Sequence, residues 1–244
     1  MCTAFCEGFA AGGRWRGWLR WCPRAHDGPD LGGNGTIVGV SSPVLPAIVL
    51  AAGRSSRMGE PKAALRLPGG HSFLSHIARA LIGGGAWPVV IVVSPDDRAA
   101  GAALPSELET AVRWVINPDP GRGQLSSLQR GLLHLVDAPA VVVTLVDVPL
   151  IDARLVGALV DAWIGSGAPL VRPARAGRHG HTMVVAPPLT ADLLAADAGA
   201  SARDLVRAYA AQGIELQTED EGPFLDVDTP DEYQHLVERL QSRR

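Results

Sequence analysis

The sequence predicts a doubly wound α/β protein in which a single, mostly parallel sheet carries helices on both faces. Three observations lead there. Near-continuous, β-branched apolar runs recur along the chain: AIVLA from Ala47, VVIVV from Val89, AVRWVI from Ala111 and AVVVTLV from Ala140. Such runs suit strands covered on both sides. Between them lie apolar residues at helical spacing. Directly behind the first run sits a loop of small and basic residues, where an open parallel sheet binds its ligand.

The helical stripes follow in order. Phe73, Leu74, Ile77 and Leu81 share one face, Leu125, Leu128, Leu132 and Leu135 a second, and Leu155, Val156, Leu159 and Trp163 a third. The last helix is the best marked. Thr229 as N-cap, Pro230 at the first helical position and Glu232 three residues after the cap form a capping box, with Tyr233, Leu236, Val237 and Leu240 facing inward.

The start of the chain differs. GRWRGWLRWCPR holds half of the six tryptophans and places Trp15, Trp18, Leu19 and Cys22 roughly on one helical face. That face could lie on a membrane surface with its arginines at headgroups. The glycine-rich stretch from Gly28 to Gly39 separates it from the rest, so residues 1–44 are expected to form a poorly ordered extension and residues 45–242 the folded domain.

With 244 residues, 47% of them hydrophobic, the chain can bury a sizeable core. Charged residues make up 19% and the net charge is −3, so no electrostatic footprint for nucleic acid or a membrane surface is present. An anionic ligand must be met locally. No apolar stretch is long enough to span a bilayer, and the N-terminus lacks the pattern of a secretory signal; a cytoplasmic protein is expected. Cys2, Cys6 and Cys22 are the only cysteines, and with His26 nearby they match no zinc spacing.

The loop LAAGRSSRMGEPKAAL runs from Leu50 to Leu65. Ala51, Ala52 and Gly53 leave room for a ligand to approach the backbone, whose N–H groups can point at phosphate oxygens. Arg54, Arg57 and Lys62 add positive charge, Ser55 and Ser56 add donors, and Pro61 stiffens the chain before the lysine. An ordinary solvated basic loop would account for the charges but not for their pairing with three small residues at a strand end. Asp147 ends the run AVVVTLV just before Pro149, where a metal ligand belongs; a turn or cap role is the alternative, although Asp152 supplies a better cap for the next helix. Asp226 and Asp228 project to the same side if their segment is extended. A capping or turn role is the lesser alternative for Asp228, since Thr229 already provides the cap. GRGQLS follows a strand and opens a helix, yet Ser126 occupies the third glycine position of a dinucleotide fingerprint. His179 and His181 alternate in RHGH, a pattern more often found in a surface or substrate loop than in a metal site.

Taken together, LAAGRSSRMGEPK, NPDPGRGQLSSLQRGL (Asn117 to Leu132), LVDVPL (Leu145 to Leu150), GRHGHTMVV (Gly177 to Val185) and DVDTPDEY (Asp226 to Tyr233) resemble, in order and spacing, the signatures of the MobA-like nucleotidyltransferases. The resemblance covers roughly Leu45 to Leu240. It implies a Rossmann-like fold and transfer of a nucleoside monophosphate to a phosphorylated acceptor. It also implies that Leu50, Ala51, Ala52, Gly53, Asn117, Gly123 and Ser126 bind the nucleotide, with the last three around base and ribose. Arg57 would hold the β and γ phosphates, and Lys62 would bridge the α-phosphate to the acceptor. Asp147 and Asp228 would hold Mg2+, which a triphosphate beside a phosphorylated acceptor requires. His179 and His181 would face the acceptor; here Thr182 stands where the family usually has proline.

The activity expected is that of a molybdenum cofactor cytidylyltransferase: CTP and a molybdopterin-type phosphate give the dinucleotide and pyrophosphate, with a molybdoenzyme receiving the product. The choice of CTP rests on Ala52. Guanylyl-transferring relatives tend to carry two glycines there, and a methyl group would crowd a purine more than a pyrimidine. A guanylyl-transferring enzyme and a transferase for another phosphorylated acceptor are alternatives. From other classes come an NAD(P)-dependent reductase on the same scaffold and a non-catalytic chaperone for a molybdoenzyme.

Overall fold

The computed structural model describes residues 44–53, 57–97 and 104–242. The tryptophan-rich start, expected to be an extension, and Arg54, Ser55 and Ser56 lie outside the described residues.

The first apolar run forms β1 (Leu45–Ala51), buried along its whole length. It pairs in parallel with β2 (Ala86–Val93) on one side and β4 (Val141–Leu145) on the other, and β3 (Val112–Ile116) lies beyond β2. The sheet then becomes mixed. β7 (Met183–Val185) runs antiparallel to β4, and β5 (Leu170–Arg175) runs antiparallel to β7. β8 (Ile214–Gln217) pairs in parallel with β5, and β6 (Arg178–His179) pairs antiparallel with it. The order β3-β2-β1-β4-β7-β5-β6, with β8 also on β5, gives eight strands, most of them parallel.

Alternation along β1 sorts the core into two layers. Ala47, Val49 and Ala51 face α1 (Phe73–Gly83) and α3 (Ala153–Ser166), packing with Leu74, Ile77, Leu81, Leu155, Val156 and Leu159. Ile48, Leu50 and Ala52 belong to the opposite layer, with Leu125, Leu128 and Leu132 of α2 (Gln124–Leu133) and Leu189 and Leu193 of α4 (Leu189–Ala195). α5 (Ala202–Ala208) adds Leu205 and Val206 to that layer. A third cluster joins the long loop after β1 to α6 (Pro230–Gln241). Met58, Leu65, Leu67, Phe73, Val227 and Leu236 are buried together, Tyr233 and Leu240 pack alongside, and the Phe73 and Tyr233 rings meet edge to face at 5.9 Å.

Local signals agree with this packing. Ser72 caps α1 by accepting from the Ser75 N–H, Asp152 caps α3 through Leu155, and Thr229 and Glu232 form the expected capping box on α6. Among the described residues no helix is long and apolar enough to cross a membrane.

Gly84, which caps the C-terminus of α1, lies against α3, where an added Cβ would be 2.5 Å from Val156 Cβ and 2.8 Å from the Ala153 carbonyl oxygen. Gly84→Ala should therefore cost about 1–3 kcal/mol through overpacking, read as a lower urea midpoint at unchanged slope; an unaltered midpoint would show that the helices do not meet there.

Candidate functional site

β1 is flanked by β2 and β4, which the chain reaches by crossing to opposite sides, so the loops leaving the carboxyl ends of β1 and β4 diverge and open a crevice. The Val146 N–H donates to the Leu50 carbonyl at 3.1 Å, so the two strands stay paired to the rim. The resulting cleft has a volume of about 430 Å³. Leu50, Ala51, Ala52, Gly53 and Lys62 form one wall, and Leu145, Val146, Asp147 and Asp228 a second. Pro120, Gly121, Gly123, Gln124 and Ser127 form the third.

Lys62 opens a short 3₁₀ turn behind Pro61, and the buried Ala63 anchors that turn in the core. Its side chain is only 12% exposed. The ammonium lies 3.5 Å from Asp147 Oδ2 and donates a shorter bond to Asp228 Oδ1. Arg57, 68% exposed at the mouth, donates from Nη2 to Asp228 Oδ2 at 2.8 Å. Asp228 is thus shared by two cations.

The two carboxylates are brought together by backbone. The Val227 N–H donates to the Asp147 carbonyl at 2.8 Å. Glu232 accepts from the N–H groups of both Asp228 and Thr229 at 2.8 Å, so the capping box also fixes the aspartate. Gly222 passes so close to Leu150 that a Cβ would lie 2.2 Å from the Leu150 carbonyl oxygen. Asp226 is exposed and does not line the cleft.

The pair is electrostatically unequal. Burial pushes the Asp147 carboxyl above its ordinary range, and neighbouring Asp228 adds to this while Lys62 and His181 oppose it. The hydrogen bond from Lys62 holds Asp228 below its ordinary range. Asp147 Oδ1 is buried with no hydrogen-bond partner among the described residues, as expected of an oxygen meant for a cation. No group of three or more His, Cys, Asp or Glu residues suited to a metal occurs among the described residues. The donor set therefore fits a magnesium-like ion held by two carboxylates and completed by phosphate oxygens, not a closed protein cage.

The remaining candidates fall on both sides of the cleft wall. Gly123, at φ +88°, lines the cleft and precedes α2 without a side-chain cap. Asn117 and Ser126 are buried behind that wall. Asn117 Nδ2 donates to the hydroxyls of Ser126 and Ser127, both at 2.9 Å, and Ser126 donates onward to the Gly123 carbonyl at 2.8 Å. His179 sits with Glu215, Nε2 to Oε1 at 2.7 Å, and is not part of the cleft wall. His181 does not line the cleft either, but it is close enough to act on the Asp147 charge. Thr182 is fully buried, its hydroxyl 2.8 Å from that of Thr144 on β4, so a side-chain bond fixes the chain where proline was expected. Gln124 and Ser127, one helical turn apart on the cleft face, were missed by the sequence reading. The signal available was their spacing of three just inside a helix start.

Small residues at one strand end, a sheltered ammonium, an exposed guanidinium and two carboxylates at the next strand end can together take up a polyphosphate with a divalent cation.

Comparison with known proteins agrees. The MobA-like NTP transferase domain profile matches residues 47–214. A molybdenum cofactor guanylyltransferase of Rhizobium meliloti is 30% identical over 196 residues, covering 77% of this chain and 88% of that protein. A probable molybdenum cofactor guanylyltransferase of Mycobacterium tuberculosis is 31% identical over 137 residues, 55% of this chain; the match spans only 64% of that relative's length. Among solved structures, a Mycobacterium sp. strain JC1 homologue of a Mycobacterium tuberculosis protein has a TM-score of 0.69 at 26% identity, covering 82% of this chain and 98% of its own. The Mycobacterium tuberculosis protein itself, crystallised with manganese, has a TM-score of 0.65 at 23% identity, covering 80% and 99%. The curated relatives carry guanylyltransferase names, which do not favour the expected CTP specificity.

Lys62→Ala would leave two close carboxylates without the ammonium between them. The folded-state pKa of both would rise, so the folded variant would take up protons that the unfolded chain does not, and its stability would increase as pH falls. In metal-free buffer the variant should be less stable than the parent at pH 7.5, and the deficit should shrink by pH 5. A deficit that is constant across this range in thermal melts would show that the lysine does not balance the pair.

Proposed function

The chain belongs to the MobA-like NTP transferase family, and from that premise we propose that it transfers GMP from GTP to a phosphorylated acceptor of the molybdopterin type, releasing pyrophosphate. The observation that carries this reading is Lys62 lodged beside Asp147 and Asp228 at the switch point of the sheet, with one Asp147 oxygen left for a cation.

The chemistry is phosphoryl-centred substitution. An oxygen of the acceptor phosphate forms a bond to the α-phosphorus as the bond to the bridging oxygen breaks, and pyrophosphate leaves with that electron pair. The acceptor phosphate is already ionised at neutral pH, so no general base is needed. Catalysis is then alignment and charge neutralisation. Lys62, held in place by its neighbours, neutralises charge on the α-phosphate. Arg57 at the mouth reaches the β and γ phosphates. The backbone at Ala51, Ala52 and Gly53 lets the triphosphate approach closely. Asp147 and Asp228 would hold a divalent cation, which supplies the remaining positive charge when bound; the mycobacterial neighbour of the same fold was crystallised with manganese. A molybdoenzyme would receive the product.

GTP is preferred to CTP as the donor on two grounds. The curated relatives are named for guanylyl transfer. Ala52, although part of the cleft wall, is only 3% exposed and belongs to the α2 core layer, so its methyl group offers little surface with which to exclude a purine. The sequence Ala51-Ala52-Gly53, in place of paired glycines, keeps CTP as the second reading.

A panel of the four ribonucleoside triphosphates, assayed for pyrophosphate release with Mg2+ and molybdopterin, tests the proposal. GTP should give the highest kcat/KM. Lys62→Ala should reduce turnover roughly a hundredfold or more, and Asp147→Asn and Asp228→Asn should each raise the Mg2+ concentration needed. Higher kcat/KM with CTP would reassign the donor; nucleotide binding without pyrophosphate release would favour the chaperone reading.

A further inference from the structure

Each oxygen of Asp228 is taken by a cation of the chain itself: Lys62 donates to Oδ1, and Arg57 Nη2 donates to Oδ2 at 2.8 Å. The carboxylate that would hold a divalent cation is therefore already paired with protein charge. Asp147 contributes one buried oxygen with no hydrogen-bond partner among the described residues, but a single such oxygen is a weak ligand set for a hard cation. Asp228 has to give up a partner.

The two partners are not equally able to leave. The Lys62 side chain is 12% exposed, meets both carboxylates and starts from a turn anchored by Ala63. The Arg57 side chain is 68% exposed. Its backbone is nonetheless fixed, because the next residue, Met58, is buried with Leu65, Val227 and Leu236. The guanidinium can thus turn about a fixed base while staying within reach of the cleft mouth.

Charge counting says what moves it. Lys62 and Arg57 balance Asp147 and Asp228, so a divalent cation arriving alone would enter a group already neutral and would face the guanidinium across one carboxylate. A phosphate chain offers Arg57 several anionic oxygens in a geometry suited to a forked donor. Asp228 would then be released to the cation.

We propose that Arg57 locks the cation site: its bond to Asp228 holds off a divalent cation until a phosphate chain draws the guanidinium away, so that nucleotide and metal bind as a coupled pair. The proposal rests on the nucleotidyltransferase reading above and gives Arg57 a second task beside holding phosphate. Coupling of this kind is reciprocal. Removing Arg57 then acts in opposite directions on the two ligands, weakening the nucleotide and strengthening the metal alone.

The test is Mn2+ binding to the full chain without nucleotide, followed by the electron paramagnetic resonance signal of the free ion. Arg57→Ala should bind Mn2+ roughly fivefold more tightly than the unmodified protein, the size of a partly exposed ion pair. Loss of any nearby positive charge would also favour a cation, so the same substitution is made in Asp228→Asn, where Asp147 still feels the field but the bond is gone. There Arg57→Ala should change Mn2+ affinity by less than about twofold. An unchanged affinity in Arg57→Ala, or an equal gain in both backgrounds, overturns the lock and leaves the enzyme reading intact. Calorimetric titration of the unmodified protein with non-hydrolysable analogues of GTP and CTP in the presence of Mn2+ tests that reading separately. One of them should bind, and failure of both overturns the nucleotidyltransferase assignment itself.

Discussion

Two carboxylates held against one sheltered ammonium are the arrangement on which the site depends. Asp147 and Asp228 are far apart in sequence, and each carries charge that disfavours the other. Lys62 makes their closeness tolerable, and backbone makes it unavoidable: the Val227 N–H is bonded to the Asp147 carbonyl, and the helix cap at Thr229 and Glu232 immobilises the peptide at Asp228. Removing any one of these would leave either a repulsive pair or a floppy one.

The fold around the pair divides rigid from adaptable parts. Lys62 is packed into its turn and anchored through Ala63, so its charge is in place before a ligand arrives, which is what preorganised electrostatic stabilisation requires. Arg57 is largely exposed and bonded to the same carboxylate that a cation would use. A bound phosphate chain would offer that guanidinium a more demanding anion than Asp228, and the exchange would free an aspartate oxygen at the same moment. The cluster of Met58, Leu65, Phe73, Val227 and Leu236 ties the cationic loop to the aspartate segment, so the two sides of this exchange share one small core.

Much of this was legible in the sequence, for reasons that can be stated. The strands at the centre of the sheet read clearly because burial on both faces demands unbroken β-branched runs, as in β1 and β4. The cap of α6 read clearly because its three signals act locally. The far half of the sheet did not read. β5 contains Pro173 and two arginines, β6 to β8 are two to four residues long, and α4 and α5 have only seven residues each, too short to show a period. The charged residues of the site were visible as types at strand ends. Ser127 was not picked out, although it lies three residues after Gln124 just inside the start of α2, because a polar pair at that spacing suits an ordinary solvated helix face equally well. Ala52 illustrates the converse: a residue conspicuous in the sequence as part of the ligand loop belongs to the α2 core layer as well as to the cleft wall, a double membership that no pattern shows.

The central claim is that Asp147 and Asp228 form one cation site completed by a nucleotide. A crystal structure of the chain with Mn2+ and a non-hydrolysable GTP analogue, with the metal located by anomalous scattering, tests it most directly. The expected result is an anomalous peak within ligand distance of Asp147 Oδ1, of an Asp228 oxygen and of the analogue's phosphates, with Arg57 turned from Asp228 to the phosphate chain. A metal bound elsewhere, or Asp228 still paired with both cations while the nucleotide occupies the cleft, would contradict the account.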